Sequence, residues 1–167
     1  MITWQDLQAR LHFCKQLAKE AGALVAQAHR AREHRVTSKN AAGTDLVTQT
    51  DLQTEQLIRQ RLSEAYPQDG FVGEESCCER EEVIPKAGGC WVVDPIDGTT
   101  NFFHGQVPVA VSIGWCWEGV PMVGVIYNPI LDYLFSAATG LGAHLNEQPI
   151  QVSACRDLQA ALLHTEL

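Results

Sequence analysis

The chain has 167 residues, 46% of them hydrophobic, and its 12 basic against 20 acidic residues give a formal net charge of −8. The apolar share is enough for a packed core, and the scattered Lys and Arg form no run suited to nucleic acid or an anionic membrane. No stretch approaches the roughly 18 apolar residues of a membrane span, and the N-terminus has no basic flank leading into an apolar core, so a cytoplasmic protein is expected.

Residues 3 to 33 read as one amphipathic helix, opened by a capping box at Thr3 and Asp6. Leu7, Leu11, Cys14, Ala18, Ala21, Val25 and Ala28 recur at steps of three and four, a core-facing stripe. Residues 38–45 read as a loop. A second helix is expected over 51–65 with Leu52, Leu57, Ile58 and Leu62 inward, stopped at Tyr66-Pro67. Asp51, taken alone, reads as its N-cap.

From residue 70 the period shortens. The stretches 70–76 and 90–95 are short apolar runs bounded by turn formers, as in buried strands. Residues 109–117 and 120–129 flank Glu118-Gly119 as a hairpin, residues 132–140 and 142–153 continue the meander, and 161–167 begin a further strand. Helices followed by a run of strands predict an α+β fold. The six cysteines, Cys14, Cys77, Cys78, Cys90, Cys116 and Cys155, show no CxxC spacing and are expected as thiols in a reducing compartment.

Three acidic stretches carry the chemistry: Asp45 with Asp51, Glu74 with Glu75, and Asp94 with Asp97. Each lies where an element begins or ends. Any one alone is an ordinary cap or turn; together they supply the hard oxygen donors that Mg²⁺ selects. Asp94 and Asp97 on a tight turn point to one region, with the Ile96 carbonyl as a further oxygen and Glu74 able to bridge two ions. The Gly98-Thr99-Thr100 segment offers backbone N–H groups to an anion. The Thr99 hydroxyl can orient a water, with Asp51 as its proton acceptor. This set suits two-metal hydrolysis of a phosphate ester, in which cations reconcile an acidic protein with an anionic substrate.

The segments Asp45-Leu46-Val47-Thr48-x-x-Asp51, Gly73-Glu74-Glu75-Ser76 and Trp91 to Phe102, with Asp94-Pro95-Ile96-Asp97-Gly98-Thr99-Thr100 at its centre, resemble the inositol monophosphatase family. The resemblance runs over essentially the whole chain. It implies a layered α/β/α/β/α phosphatase, usually dimeric, that hydrolyses inositol monophosphate with Mg²⁺ and is inhibited by Li⁺. Carried over, it implies Glu74, Asp94, Asp97 and the Ile96 carbonyl as metal ligands, and Asp51 and Thr99 as the water-activating pair. Glu74 then serves catalysis through the metals it bridges. Asp97, Gly98 and Thr99 would contact substrate, and Lys39 would help order a third ion. The expected partner is a small phosphorylated polyol and a second copy of the chain, with no nucleic acid and no membrane.

The family's later Trp-Asp-x-Ala-Ala-Gly motif is absent, so residues 1–167 read as an N-terminal phosphatase domain, the first half of the family fold, with impaired turnover alone. Alternatives are a non-catalytic metal-binding or dimerisation module, or a phosphatase of fructose bisphosphate, adenosine bisphosphate or histidinol phosphate.

Overall fold

The computed structural model describes residues 2–31, 36–38, 46–76 and 84–162. Among these, α1 spans Trp4–Ala31, β1 Val36–Ser38, β2 Leu46–Thr48 and α2 Gln49–Ala65. There follow β3 (Gly70–Gly73), β4 (Gly89–Asp97), α3 (Thr99–Phe103), β5 (Ala110–Trp117), β6 (Val120–Asn128), β7 (Tyr133–Ala138), β8 (Gly142–Leu145) and β9 (Gln148–Ile150). The described strands form a β1–β2 hairpin and one seven-stranded sheet in the order β3-β4-β5-β6-β7-β8-β9. In that sheet β3 runs parallel to β4 and every other pair is antiparallel. The α+β expectation holds.

Local chemistry explains the elements. Asp6 accepts from the Thr3 backbone N–H at 2.9 Å and the Thr3 hydroxyl accepts from the Asp6 N–H at 3.2 Å, the reciprocal box that starts α1. Leu7, Cys14, Ala18, Ala21, Val25 and Ala28 are buried as the stripe predicts, whereas Leu11 is only half-buried. In α2 the inward face is Asp51, Thr54, Glu55, Ile58 and Leu62, and Leu52 is 46% exposed. This corrects the inward placement of Leu52, which precedes Ile58 by six residues and so lies about 120° around the helix from it. Ser38 ends a strand instead of starting a loop. Lys39, Asp45, Cys77, Cys78 and the strand expected to begin at 161 lie wholly or mostly outside the described residues.

Both long helices pack on one face of the sheet, where Trp91, Trp115, Ile113, Val111 and Val125 meet Ile58, Val25 and Leu17. The opposite face alternates in register with these. There Ile126, Tyr133 and Phe135 are 48%, 47% and 41% exposed. No described helix is long and apolar enough to cross a membrane.

One polar cluster joins the helical layer to the sheet. The Arg10 guanidinium donates to Asp69 at 2.6 Å and stacks 4.2 Å from the Tyr66 ring centroid and 4.0 Å from that of Trp115. The Trp115 indole N–H donates to the same Asp69 oxygen at 3.0 Å. Asp69→Ala strands a largely buried cation and an indole donor together, so a loss of about 2–4 kcal/mol is expected in urea unfolding. A loss under about 0.5 kcal/mol, typical of a surface site, would show that solvent replaces the carboxylate without penalty.

Candidate active site

Five acidic or hydroxyl groups, those of Asp51, Glu74, Asp94, Asp97 and Thr99, gather at the β4–α3 junction. Asp94 lies opposite Ser112 and Asp97 opposite Ala110, so β4 takes three steps where β5 takes two. That is a β-bulge, and Pro95 sits inside it, where a missing N–H costs no ladder bond. The bulge has a direct consequence. In a regular strand residues three apart face opposite sides. Here Ser112 and Ala110 are two apart and share a face, so their partners Asp94 and Asp97 share it too. The tight turn expected from the sequence is thus an irregular strand, and the turn proper follows at Gly98.

Gly98 has φ 85°, and a Cβ there would stand 2.7 Å from the Pro108 carbonyl oxygen. Only glycine fits without strain. The chain then enters α3, with the Phe102 N–H donating to the Gly98 carbonyl at 2.9 Å. Phe102 is fully buried and anchors this short helix.

Thr99 Oγ1 lies 3.2 Å from Asp51 Oδ1 and 3.0 Å from the Ile96 carbonyl oxygen. A hydroxyl has one proton and donates to one of these at a time. Asp51 is the third residue of α2, not its N-cap. Thr48 is the cap, and its backbone N–H donates to Asp51 Oδ2 at 2.9 Å while its hydroxyl makes a short contact to the same oxygen. Burial raises the Asp51 carboxyl above the usual range, opposed by the hydrogen bonds from Thr48 and Thr99. A carboxylate raised in this way is a better proton acceptor than a solvated one.

Glu74 follows β3, and its N–H donates to the Val93 carbonyl at 3.0 Å, which seats it beside the end of β4. Asp94 is pushed up to about 8, first by burial, then by a hydrogen bond with the Glu74 carboxyl and by the Glu74 and Asp97 charges. Its Oδ1 accepts the Ile96 N–H at 3.1 Å, a partial compensation. Glu55 is the residue sequence reasoning missed: buried on α2, it accepts the Glu75 N–H at 2.8 Å and fixes the acidic turn. Gly73 permits that approach, since a Cβ there would stand 2.5 Å from Glu55 Oε2. The available signal was a Glu one helical turn after Asp51, on its face.

The donors of Glu74, Asp94, Asp97 and the Ile96 carbonyl are all oxygen, and the crowding of Asp94 by two carboxyls is of the kind that a proton or a cation relieves, so the set fits Mg²⁺ in kind. Among the described residues no three His, Cys, Asp or Glu side chains converge as a closed metal cage. Beside Asp97 and Gly98 opens a cleft of about 310 Å³, walled by Asn101, Ile126, Tyr133 and Phe135.

The family model described as the Inositol monophosphatase family matches residues 6–167. Inositol monophosphatase 1 of Solanum lycopersicum is 41% identical over 150 residues, covering 90% of this chain and 54% of the relative. Inositol monophosphatase 1 of Bos taurus is 38% identical over 164 residues, covering 98% and 57%. The crystal structure of extragenic suppressor protein suhB from Bartonella henselae superposes with TM-score 0.77 at 39% identity, over 89% of this chain and 56% of that one. A Thermotoga maritima IMPase does so at TM-score 0.74 and 29% identity, over 87% and 54%. The chain spans about half the length of the curated relatives it matches.

Proposed function

Because this chain belongs to the inositol monophosphatase family, we propose that its 167 residues form the N-terminal phosphatase domain of a Mg²⁺-dependent hydrolase of inositol monophosphate, a small phosphorylated polyol. The observation that carries the reading is the 3.2 Å contact between Thr99 and Asp51 next to the crowded Glu74–Asp94 pair. Glu74, Asp94, Asp97 and the Ile96 carbonyl would hold Mg²⁺. Bound there, the ion supplies the positive charge an anionic ester needs and makes a nearby water more acidic.

The chain's own groups do the rest. Thr99 orients the attacking water through its oxygen, and as it accepts the proton the water loses it passes its own to Asp51. The Gly98 and Thr99 amides receive the phosphate, and Asp97, exposed at the mouth of the cleft, reaches polyol hydroxyls. The protein works as a homodimer in the cytoplasm, and Li⁺ inhibits by competing for a metal position. Alone, the 167 residues turn over slowly, since among the described residues the acidic groups do not close into a cage and Ile126, Tyr133 and Phe135 leave one sheet face exposed.

The test measures phosphate release from inositol 1-phosphate with and without Mg²⁺, using fructose 1,6-bisphosphate, adenosine 3′,5′-bisphosphate and histidinol phosphate as competitors for the assignment. Thr99→Ala is expected to lower Mg²⁺-dependent release about 10²-fold, and Thr99→Ser to restore most of it. Equal rates for Ala and Ser would remove the hydroxyl from the mechanism, and a preferred competitor would change the substrate.

A second reading, a non-catalytic metal-binding or dimerisation module, draws on exposed Ile126, Tyr133 and Phe135. Mg²⁺ binding without any phosphate release, in a stable dimer by light scattering, would favour it.

A further inference from the structure

Two thiols that the proposed chemistry does not use lie directly opposite each other in the sheet. Cys90, the second residue of β4, pairs with Cys116, the next-to-last residue of β5. Both are buried, at 1% and 5% exposure, and the described cysteines are all in the thiol form. From this pairing we infer that Cys90 and Cys116 are an oxidation site, closing a cross-strand disulfide when the protein meets a low-molecular-weight disulfide.

Geometry supports it. Directly opposed residues of an antiparallel pair share a face, with Cα atoms about 4.5–5.5 Å apart, inside the range a disulfide spans. Their Cβ atoms, about 4.5–5.5 Å apart, need to close by about an ångström. This end of the ladder can give that much. Cys116 adjoins the register shift between Trp115 and Cys116 on the β6 side, and the Glu118-Gly119 turn begins two residues on. Across β4 the residue opposite Cys90 is Gly70, and a Cβ there would touch the Cys90 sulfur at 3.4 Å. The sulfur thus lies on the β3 side, and a rotation about χ1 carries it toward Cys116 on β5. The sulfur's hydrogen bond to the Trp91 carbonyl, at 3.6 Å, is a weak one.

The chemistry balances with one oxidant. A thiolate of the pair attacks one sulfur of the small disulfide and releases a small thiolate, which takes up a proton. The second thiolate then attacks the mixed disulfide, forming the Cys90–Cys116 bond and releasing the second small thiol. Two protein thiols are oxidised and one small disulfide is reduced. Burial raises the Cys116 thiol, which slows attack at neutral pH, so the reaction should speed up with pH and with opening of the strand end.

The staple matters through β4, which carries Asp94 and Asp97 at its far end. The closed bond ties the start of that strand to β5.

The test incubates the reduced full chain with oxidised glutathione at pH 8 and reads intact mass, followed by peptic mapping under acidic, non-reducing conditions. The inference expects an intact mass two hydrogens below that accounted for by the glutathione adducts, a linked peptide joining Cys90 to Cys116, and a melting temperature higher by roughly 5 °C that dithiothreitol reverses. Cys155, exposed, is the internal control and should carry only a glutathione adduct. Cys116→Ser and Cys90→Ala should each abolish the linked peptide, and the wild-type map stands whether or not these variants fold. Three results overturn the inference: either cysteine recovered linked to Cys77 or Cys78, either recovered as a stable glutathione adduct, or both unmodified while Cys155 has reacted.

Discussion

Asp94→Asn is expected to lower Mg²⁺ affinity at least tenfold in a calorimetric titration while leaving the metal-free protein as stable as its parent or more so. Opposite signs on one substitution separate a ligand from a packing residue. In the folded chain Asp94 is pushed from 3.8 up to about 8 by burial and by its carboxylate neighbours Glu74 and Asp97. The unfolded chain releases this proton near pH 4, whereas the folded one keeps it until near pH 8. The folded state therefore binds more protons across that window, and the stability of chelator-treated protein falls as pH rises through it. Asn carries no charge, so the slope should shrink in the variant. Saturating Mg²⁺ should flatten the parent's slope as well, because the cation stabilises the ionised form. Unchanged affinity together with an unchanged pH profile would remove Asp94 from the ligand set.

Gly98→Ala is expected to cost at least about 2 kcal/mol in urea unfolding, since it combines a left-handed backbone with a clash against a fixed carbonyl. The φ of 85° and the 2.7 Å approach to the Pro108 oxygen act independently. Gly98→Asn separates them: Asn tolerates positive φ better than Ala but meets the same oxygen. A smaller loss for Asn assigns the difference to the backbone, and equal losses assign the cost to the clash. Either way the relief must come from moving α3, which carries Thr99 away from Asp51. Phosphate release should therefore fall further than the loss of folded protein explains. Parent-like stability in both variants would refute the geometry of the turn.

Much of this molecule is legible in short stretches. The α1 stripe, the Thr3–Asp6 box and the Glu118-Gly119 hairpin rest on interactions within a few residues, and those travel with the sequence. The segment from Asp94 to Asn101 names its own chemistry by residue type and spacing. The failures are equally specific. Leu52 is apolar but off the helix face set by Ile58 and Leu62. The role of Thr48 as cap displaces Asp51 from the position its residue type suggests. Glu55 looks like any solvated helix Glu until β3 and its Gly73 are laid against it.

What the sequence by itself determined, then, is the residue types at hand: carboxylates at Glu74, Asp94, Asp97 and Asp51, a hydroxyl at Thr99, and a glycine where the backbone must turn. Tertiary structure alone decided that these groups meet. Asp94 and Asp97 would face opposite sides of a regular strand, and only pairing with Ser112 and Ala110 on β5 forces the extra residue that turns both to one face. Thr99 reaches Asp51 across 48 positions of chain because α2 packs beside β4. Residue type is a local property. Which carboxylates share a side is set by strand register, and register belongs to the partner strand as much as to the one being read.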